Sequence, residues 1–187
     1  TRVFSAVNAD AVIGLGGYVT GPGGLAARLS GLPLYIHEQN AIAGFTNKAL
    51  AKFATQVLQA FPNAFDACAK VTWVGNPVRD EIATLAQPSA RYGARRGALR
   101  VLVMGGSLGA VALNELVPAA FAELPLEQRP LIRHQAGRKH ADKAAAVYAK
   151  LGVQAEILPF IDDMAAVYDW ADLVICRSGA LTVSEIA

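Results

Sequence analysis

Cysteine is nearly absent from these 187 residues: only Cys68 and Cys176 occur, far apart and with no CxxC neighbour. That excludes a disulfide framework or a zinc site and predicts reduced thiols. Charge is scarce as well, at 17% of residues and a net +2, so the chain lacks the cationic balance of an electrostatic nucleic-acid binder. No apolar run approaches the roughly 18 to 20 residues that a membrane-spanning helix requires. There is no Walker A loop ending in Gly-Lys-Ser/Thr and no complete GxGxxG, which argues against ATP and nicotinamide dinucleotides in their usual modes. No Asp-x-Asp stands ready to hold a divalent ion against a diphosphate, so neither a metal nor a cofactor is expected. An initiator methionine is missing too. The opening TRVFSAVNADAVIGLGG predicts an internal piece of a longer protein.

What is present is apolar: 53% of residues are hydrophobic, which excludes disorder and allows a substantial core. Strand-like runs occur at Ala11–Gly14, Leu34–His37, Gln56–Gln59, Val71–Val74, Arg100–Met104, Leu131–His134, Gln154–Leu158 and Asp172–Cys176. Helical stretches lie between them, at Gly24–Ser30, Phe45–Phe53, Arg79–Leu85, Ala110–Glu123, Lys139–Leu151, Met164–Tyr168 and from Leu181 onward. Continuous rather than alternating apolar strands separated by helices predict an α/β class with parallel sheets buried on both faces. Composition breaks at QPSARYGARRGAL (Gln87 to Leu99), which reads as a linker or surface loop, so two half-domains should join between Gly75 and Arg100. Arg91, Arg95, Arg96 and Arg100 there read as solvated loop charges, with contact to anionic lipid headgroups as the alternative.

Each half carries a strand, a glycine cluster and a helix. The first is VIGLGGYVTGPGGLAARLSG, with a helix expected near Leu25 and Pro22 ahead of it; the second is VLVMGGSLGAVALNELV. Such turns present bare N–H groups and the positive end of a helix, which suits phosphate or diphosphate; tight βα turns with no ligand are the plainer reading. In the second cluster Met104 replaces the first glycine of a dinucleotide fingerprint, and no acid follows at ribose distance.

Polar residues gather after two of the strands. His37, Glu38, Gln39 and Asn40 follow the second strand, at the edge of a parallel sheet where ligands sit. Alternatively Asn40 caps a helix and Glu38 is a solvated partner. Arg79, at a helix start, is either one half of an ion pair or reaches an anionic ligand. Asp162 is expected to N-cap the helix at Met164, while His134 and His140 read as surface or strand-end residues. In CRSGALTVSEIA, Thr182 and Glu185 have the spacing of a capping box. If the helix instead begins at Ser178 or Gly179, Glu185 lies about two turns in and can accept from vicinal hydroxyls, while Gly179 and Ala180 let a base or phosphate approach.

The motifs GLGGYVTGPGGLAA, HEQNAIAGFTNKALAKFA, VGNPVR, VMGGSLGA, PFIDDMAAVY and CRSGALTVSEIA, in this order, resemble the MurG family of bacterial glycosyltransferases. The resemblance implies two Rossmann-like parallel-sheet domains of the GT-B type, both incomplete here: residues 1–78 the later part of an acceptor domain and 79–187 the first part of a donor domain. It implies inverting transfer of N-acetylglucosamine from UDP-GlcNAc to the C4 hydroxyl of MurNAc in lipid I, giving lipid II for peptidoglycan. The partners would be UDP-GlcNAc, lipid I and the cytoplasmic face of the inner membrane, with no nucleic acid. By motif, Asn40, Arg79, Ser107, Ile161, Ala180, Leu181, Thr182, Val183, Ser184 and Glu185 would contact the donor. Among these, Gly105, Gly106 and Ser107 suit the diphosphate, Ile161 the uracil and Glu185 the ribose. Gly16, Gly17, Tyr18, His37 and Glu38 would face the acceptor. The histidine usually proposed as base would precede Thr1, which leaves His37 or Glu38 as stand-ins and implies a piece inactive alone. A second, non-catalytic reading is a nucleotide-sugar-binding module; a third is another UDP-sugar transferase or epimerase.

Overall fold

The computed structural model describes residues 2–93, 95–106 and 108–187. The chain divides into two compact units: residues 1–78 with the final two residues, and Arg79–Glu185.

The first unit runs α1 (Arg2–Ala6), β1 (Val12–Gly14), α2 (Gly17–Leu29), β2 (Leu34–Glu38), α3 (Phe45–Ala51), β3 (Gln56–Gln59) and β4 (Val71–Trp73). Its four strands are parallel in the order β1-β2-β3-β4. Leu34, Ile36, Val57, Leu50 and Ala54 are buried together, which is why β2 opens on the apolar run Leu34-Tyr35-Ile36. The sequence placed the start of α2 near Leu25, yet the helix starts at Gly17 and carries Pro22 inside it. Packing overrides propensity here: a Cβ at Gly24 would lie 2.7 Å from Leu50 Cδ1, so glycine lets α2 approach α3 closely.

The second unit runs α4 (Asp80–Ala83), α5 (Pro88–Tyr92), β5 (Arg100–Met104), α6 (Val111–Ala122), a 3₁₀ turn (Leu126–Gln128), β6 (Leu131–Gln135), α7 (Ala141–Lys150), β7 (Glu156–Leu158), α8 (Met164–Trp170), β8 (Leu173–Cys176) and α9 (Ala180–Ile186). The parallel order is β7-β6-β5-β8, and the central β5 has Val101 through Met104 buried. Val101, Val103, Val117, Ile132, Tyr148 and Val153 form its core.

Several expectations are corrected. The segment expected to be a linker contains α5, and two of its arginines are not solvated: the Arg91 and Arg95 side chains are 14% and 17% exposed. Arg91 Nη1 donates to the Tyr168 carbonyl at 2.8 Å, and Arg95 donates to the Trp170 carbonyl at 2.9 Å, to the Asp169 carbonyl and to the Asp172 carboxylate. They staple the α8–β8 corner, whose carbonyls would otherwise lack partners. Asp163, not Asp162, caps α8, accepting from Ala166 N at 2.9 Å. His134 lies near the end of β6, as one of its two readings has it, but it is fully buried and paired with the Tyr148 hydroxyl rather than at the surface. Among the described residues no helix is long and apolar enough to cross a membrane.

Candidate active site

In the second unit the carboxyl ends of β5, β6 and β8 open onto a cleft of about 400 Å³. It is lined by Met104 and Gln135, the last residues of two strands, by Gly105 and Gly106 of the turn after β5, and by Tyr168, Thr182 and Glu185. The glycine turn packs backbone against backbone. Gly109 and Gly137 have φ of +77° and +90°, and a Cβ at Gly137 would lie 2.6 Å from Gly109 N. Gly105 N donates to the Gln135 carbonyl at 3.1 Å, and buried Asn114 donates from Nδ2 to the Ala136 carbonyl at 3.1 Å. The turn is therefore braced from the loop after β6 and from α6. Arg177 Nη2 donates to the Gly105 carbonyl at 3.2 Å, which lays a guanidinium beside the turn.

Glu185, also in the lining, is in the second turn of α9. Its Oε1 accepts from Arg79 Nη2 at 3.1 Å and its Oε2 from the Tyr168 hydroxyl at 3.0 Å. The capping-box alternative for Thr182 is corrected, since α9 starts at Ala180 and leaves Thr182 inside the helix. Arg79 forms the ion pair expected of one of its two readings. The lining of the cleft thus combines a cation, a glycine turn without side chains and a carboxylate. A ligand that is anionic at one end and rich in hydroxyl donors at the other is complementary to it.

Of the residues singled out in sequence, Gly105, Gly106, Gly179, Thr182 and Glu185 line this cleft, and Arg79 reaches it through Glu185. Ala180, Leu181, Val183 and Ser184 belong to α9 without lining it, and Ser184 Oγ donates back to the Ala180 carbonyl at 2.9 Å. Ile161 is buried ahead of α8 and is not a lining residue. Ser107 lies outside the described residues. Sequence reasoning missed Tyr168, Arg177, Gln135 and Met164 as lining residues. Arg177 had a signal, a cation directly after a strand; Tyr168, inside a short helix, had none.

In the first unit the strand ends carry a different arrangement. Glu38 is the last residue of β2, 2% exposed, and its carboxylate is saturated. Oε1 accepts from Asn40 N and Asn40 Nδ2, both at 3.0 Å; Oε2 accepts from Gly44 N at 3.0 Å and Asn47 Nδ2 at 2.8 Å. Burial alone would raise its pKa, but the four hydrogen bonds together lower it below the ordinary carboxylate value. Glu38 is therefore neither a solvated partner nor an available base: it clamps the loop that leads into α3. Asn40 does not cap that helix, whose N-cap is Gly44. His37 is buried with Nε2 3.0 Å from the Gly75 carbonyl; if Nε2 donates there, Nδ1 is left as a bare acceptor. Gly16 and Gly17, with φ of +88° and +77°, turn the chain into α2, and Tyr18 projects 90% exposed from its first turn. Gly16 faces Asn47, so this turn and the Glu38 clamp meet at one sheet edge.

The description "glycosyltransferase family 28 N-terminal domain" matches residues 1–59, and "glycosyltransferase family 28 C-terminal domain" matches residues 100–187. A Pseudomonas paraeruginosa protein named UDP-N-acetylglucosamine--N-acetylmuramyl-(pentapeptide) pyrophosphoryl-undecaprenol N-acetylglucosamine transferase is 58% identical over 186 residues, covering 100% of this chain and 52% of that protein. A protein of the same name from Cupriavidus pinatubonensis is 58% identical over 97% of this chain and 50% of its own length. A crystal structure of MurG from Acinetobacter baumannii matches with a TM-score of 0.79 at 46% identity, over 99% of this chain and 51% of that one. The chain spans about half the length of the curated relatives it matches. With a GT-B type fold and matches to both domains, the chain belongs to glycosyltransferase family 28.

Proposed function

We propose that the chain belongs to a MurG-type N-acetylglucosaminyltransferase, which moves N-acetylglucosamine from UDP-GlcNAc to the C4 hydroxyl of MurNAc in lipid I and so makes lipid II for peptidoglycan. The observation that carries this is one cleft lined by Gly105, Gly106, Arg177 and Glu185, with the Arg177 guanidinium held at the glycine turn. A nucleoside diphosphate fits that polarity: the diphosphate against the glycine turn, the ribose hydroxyls donating to Glu185. Residues 79–187 would then bind the donor, and residues 1–78 the acceptor, with Gly16, Gly17, Tyr18 and His37 at the acceptor's sheet edge.

The chemistry is a displacement at the anomeric carbon. The C4 oxygen forms the new glycosidic bond, the bond to UDP breaks with inversion, and the hydroxyl proton passes to a base. The saturated Glu38 is a poor base, and His37 is buried with Nε2 held at the Gly75 carbonyl, so the base is assigned to neither. Charge on the departing diphosphate would be met by turn N–H groups and Arg177 rather than by a metal ion. Contact with the cytoplasmic face of the inner membrane is part of the same proposal, because a polyprenyl-linked acceptor lies there.

Calorimetric titration with UDP, CDP and ADP tests the donor assignment: UDP should bind best, chelator should leave the affinity unchanged, and Glu185→Ala should weaken it by about tenfold or more. Equal binding of the three nucleotides, together with an indifferent Glu185→Ala, would sink it. Transfer of labelled N-acetylglucosamine to a lipid I analogue tests the acceptor.

A further inference from the structure

Glu185 is held from two sides by partners of different character. The Arg79 side chain is 48% exposed and ends a long flexible stem. Tyr168 is 7% exposed, is set in α8 and has only two side-chain torsions. Its hydroxyl lies 3.0 Å from Glu185 Oε2. Burial first, and then Glu185 itself, push the phenol pKa up, so the hydroxyl stays a proton donor at neutral pH. An ionised carboxylate accepts about four hydrogen bonds. Two positions on Glu185 are taken in this structure, and both Tyr168 and Glu185 line the cleft.

We propose that Tyr168 is a positioning residue that sets ribose specificity: its hydroxyl anchors Glu185 Oε2 and holds the remaining acceptor positions of the carboxylate ready for a vicinal diol. This rests on the donor-site reading above and deepens it. An unanchored glutamate on an exposed helix face must freeze its torsions when the sugar arrives; one already fixed from below does not. Arg79, half exposed, can give up its contact to solvent or to a bound anion, whereas the Tyr168 ring is packed in place and keeps its hydroxyl at the carboxylate. Tyr168 is therefore the constant half of the anchor.

The test is calorimetric titration of UDP and 2′-deoxy-UDP into the protein and its Tyr168→Phe, Glu185→Gln and doubly substituted variants. Tyr168→Phe removes one oxygen and keeps the ring packed. It should weaken UDP about tenfold while 2′-deoxy-UDP changes less than about threefold, so the ribose preference shrinks. The double variant should bind UDP no more weakly than Glu185→Gln alone, because the hydroxyl acts only through that carboxylate. In a transferase assay on the protein at its relatives' full length, the donor KM should rise with kcat nearly unchanged, the signature of binding lost equally from ground and transition states. A merely structural tyrosine would weaken both nucleotides alike. If Tyr168→Phe keeps the full ribose preference while Glu185→Gln abolishes it, the anchor is wrong and the donor site stands. If the unaltered protein does not distinguish the two nucleotides and Glu185→Gln changes nothing, the donor site itself falls, and this inference with it.

Discussion

In β6, His134 is fully buried with Nδ1 2.9 Å from the Tyr148 hydroxyl, and burial lowers its pKa from 6.5 to about 4. Between those values the unfolded chain takes up a proton that the folded form refuses. Stability should therefore fall as pH drops from about 6.5 toward 4, by up to about 3 kcal/mol. The double substitution His134→Leu/Tyr148→Phe removes both partners of the pair and should flatten that slope in denaturant melts run across this window. Glu38 acts in the same direction at lower pH. Its depressed pKa gives stability that is present above 4.5 and is lost as pH falls through the folded value. Asn47→Ala, which strips one of its four donors, should cost about 2 kcal/mol in chemical denaturation at neutral pH. Gly137→Ala has nowhere to put a methyl, 2.6 Å from Gly109 N in a left-handed backbone, and should cost several-fold more than a typical surface substitution in the same measurement.

At the scale of elements, the strands were legible because each is an apolar run bounded by turn residues, and their edges moved by a residue or two. β2 and β6 each run one residue further than read, so that Glu38 and Gln135 are strand ends rather than loop residues. Helices were read less well wherever packing outranks propensity. α2 tolerates Gly21, Pro22 and Gly23 because Gly24 packs on Leu50, a partner 26 positions away that no local window contains. α5 escaped notice because five residues hold no periodicity, and the partners of Arg91 and Arg95 lie more than 70 positions downstream. The site followed the same rule. Gly105, Gly106 and Glu185 were legible from their place after strands and Thr182 only through the family motif, whereas Tyr168 became visible only when α8 was folded against α9's carboxylate. The cap of α8 was read one residue early, at Asp162. Asp163→Ala should lower stability by about 1 kcal/mol, and Asp162→Ala by much less, in paired thermal melts.

At the scale of the whole molecule, each unit has its own sheet and its own core, one around Ile36 and Val57, the other around Val101 and Val103. If the donor binds residues 79–187, ligand stabilisation should be local. UDP at 100 times its dissociation constant adds about 2.7 kcal/mol to the unit that binds it. Hydrogen exchange should then slow across β5, β6 and β8 and stay unchanged in β1 through β3; slowing in the first sheet alone would reverse the donor and acceptor assignments. The two units also keep their edge loops in shape by opposite means. Glu38 and Asn47 do it with side chains, so a lost donor there can in principle be replaced from a neighbouring position. Gly109 and Gly137 do it by having none, and neither can shrink to accommodate growth in the other. Sequence drift can therefore renegotiate the first loop one residue at a time, while the second offers no compensating partner, and any lineage or designer that alters it must move the backbone of both loops at once.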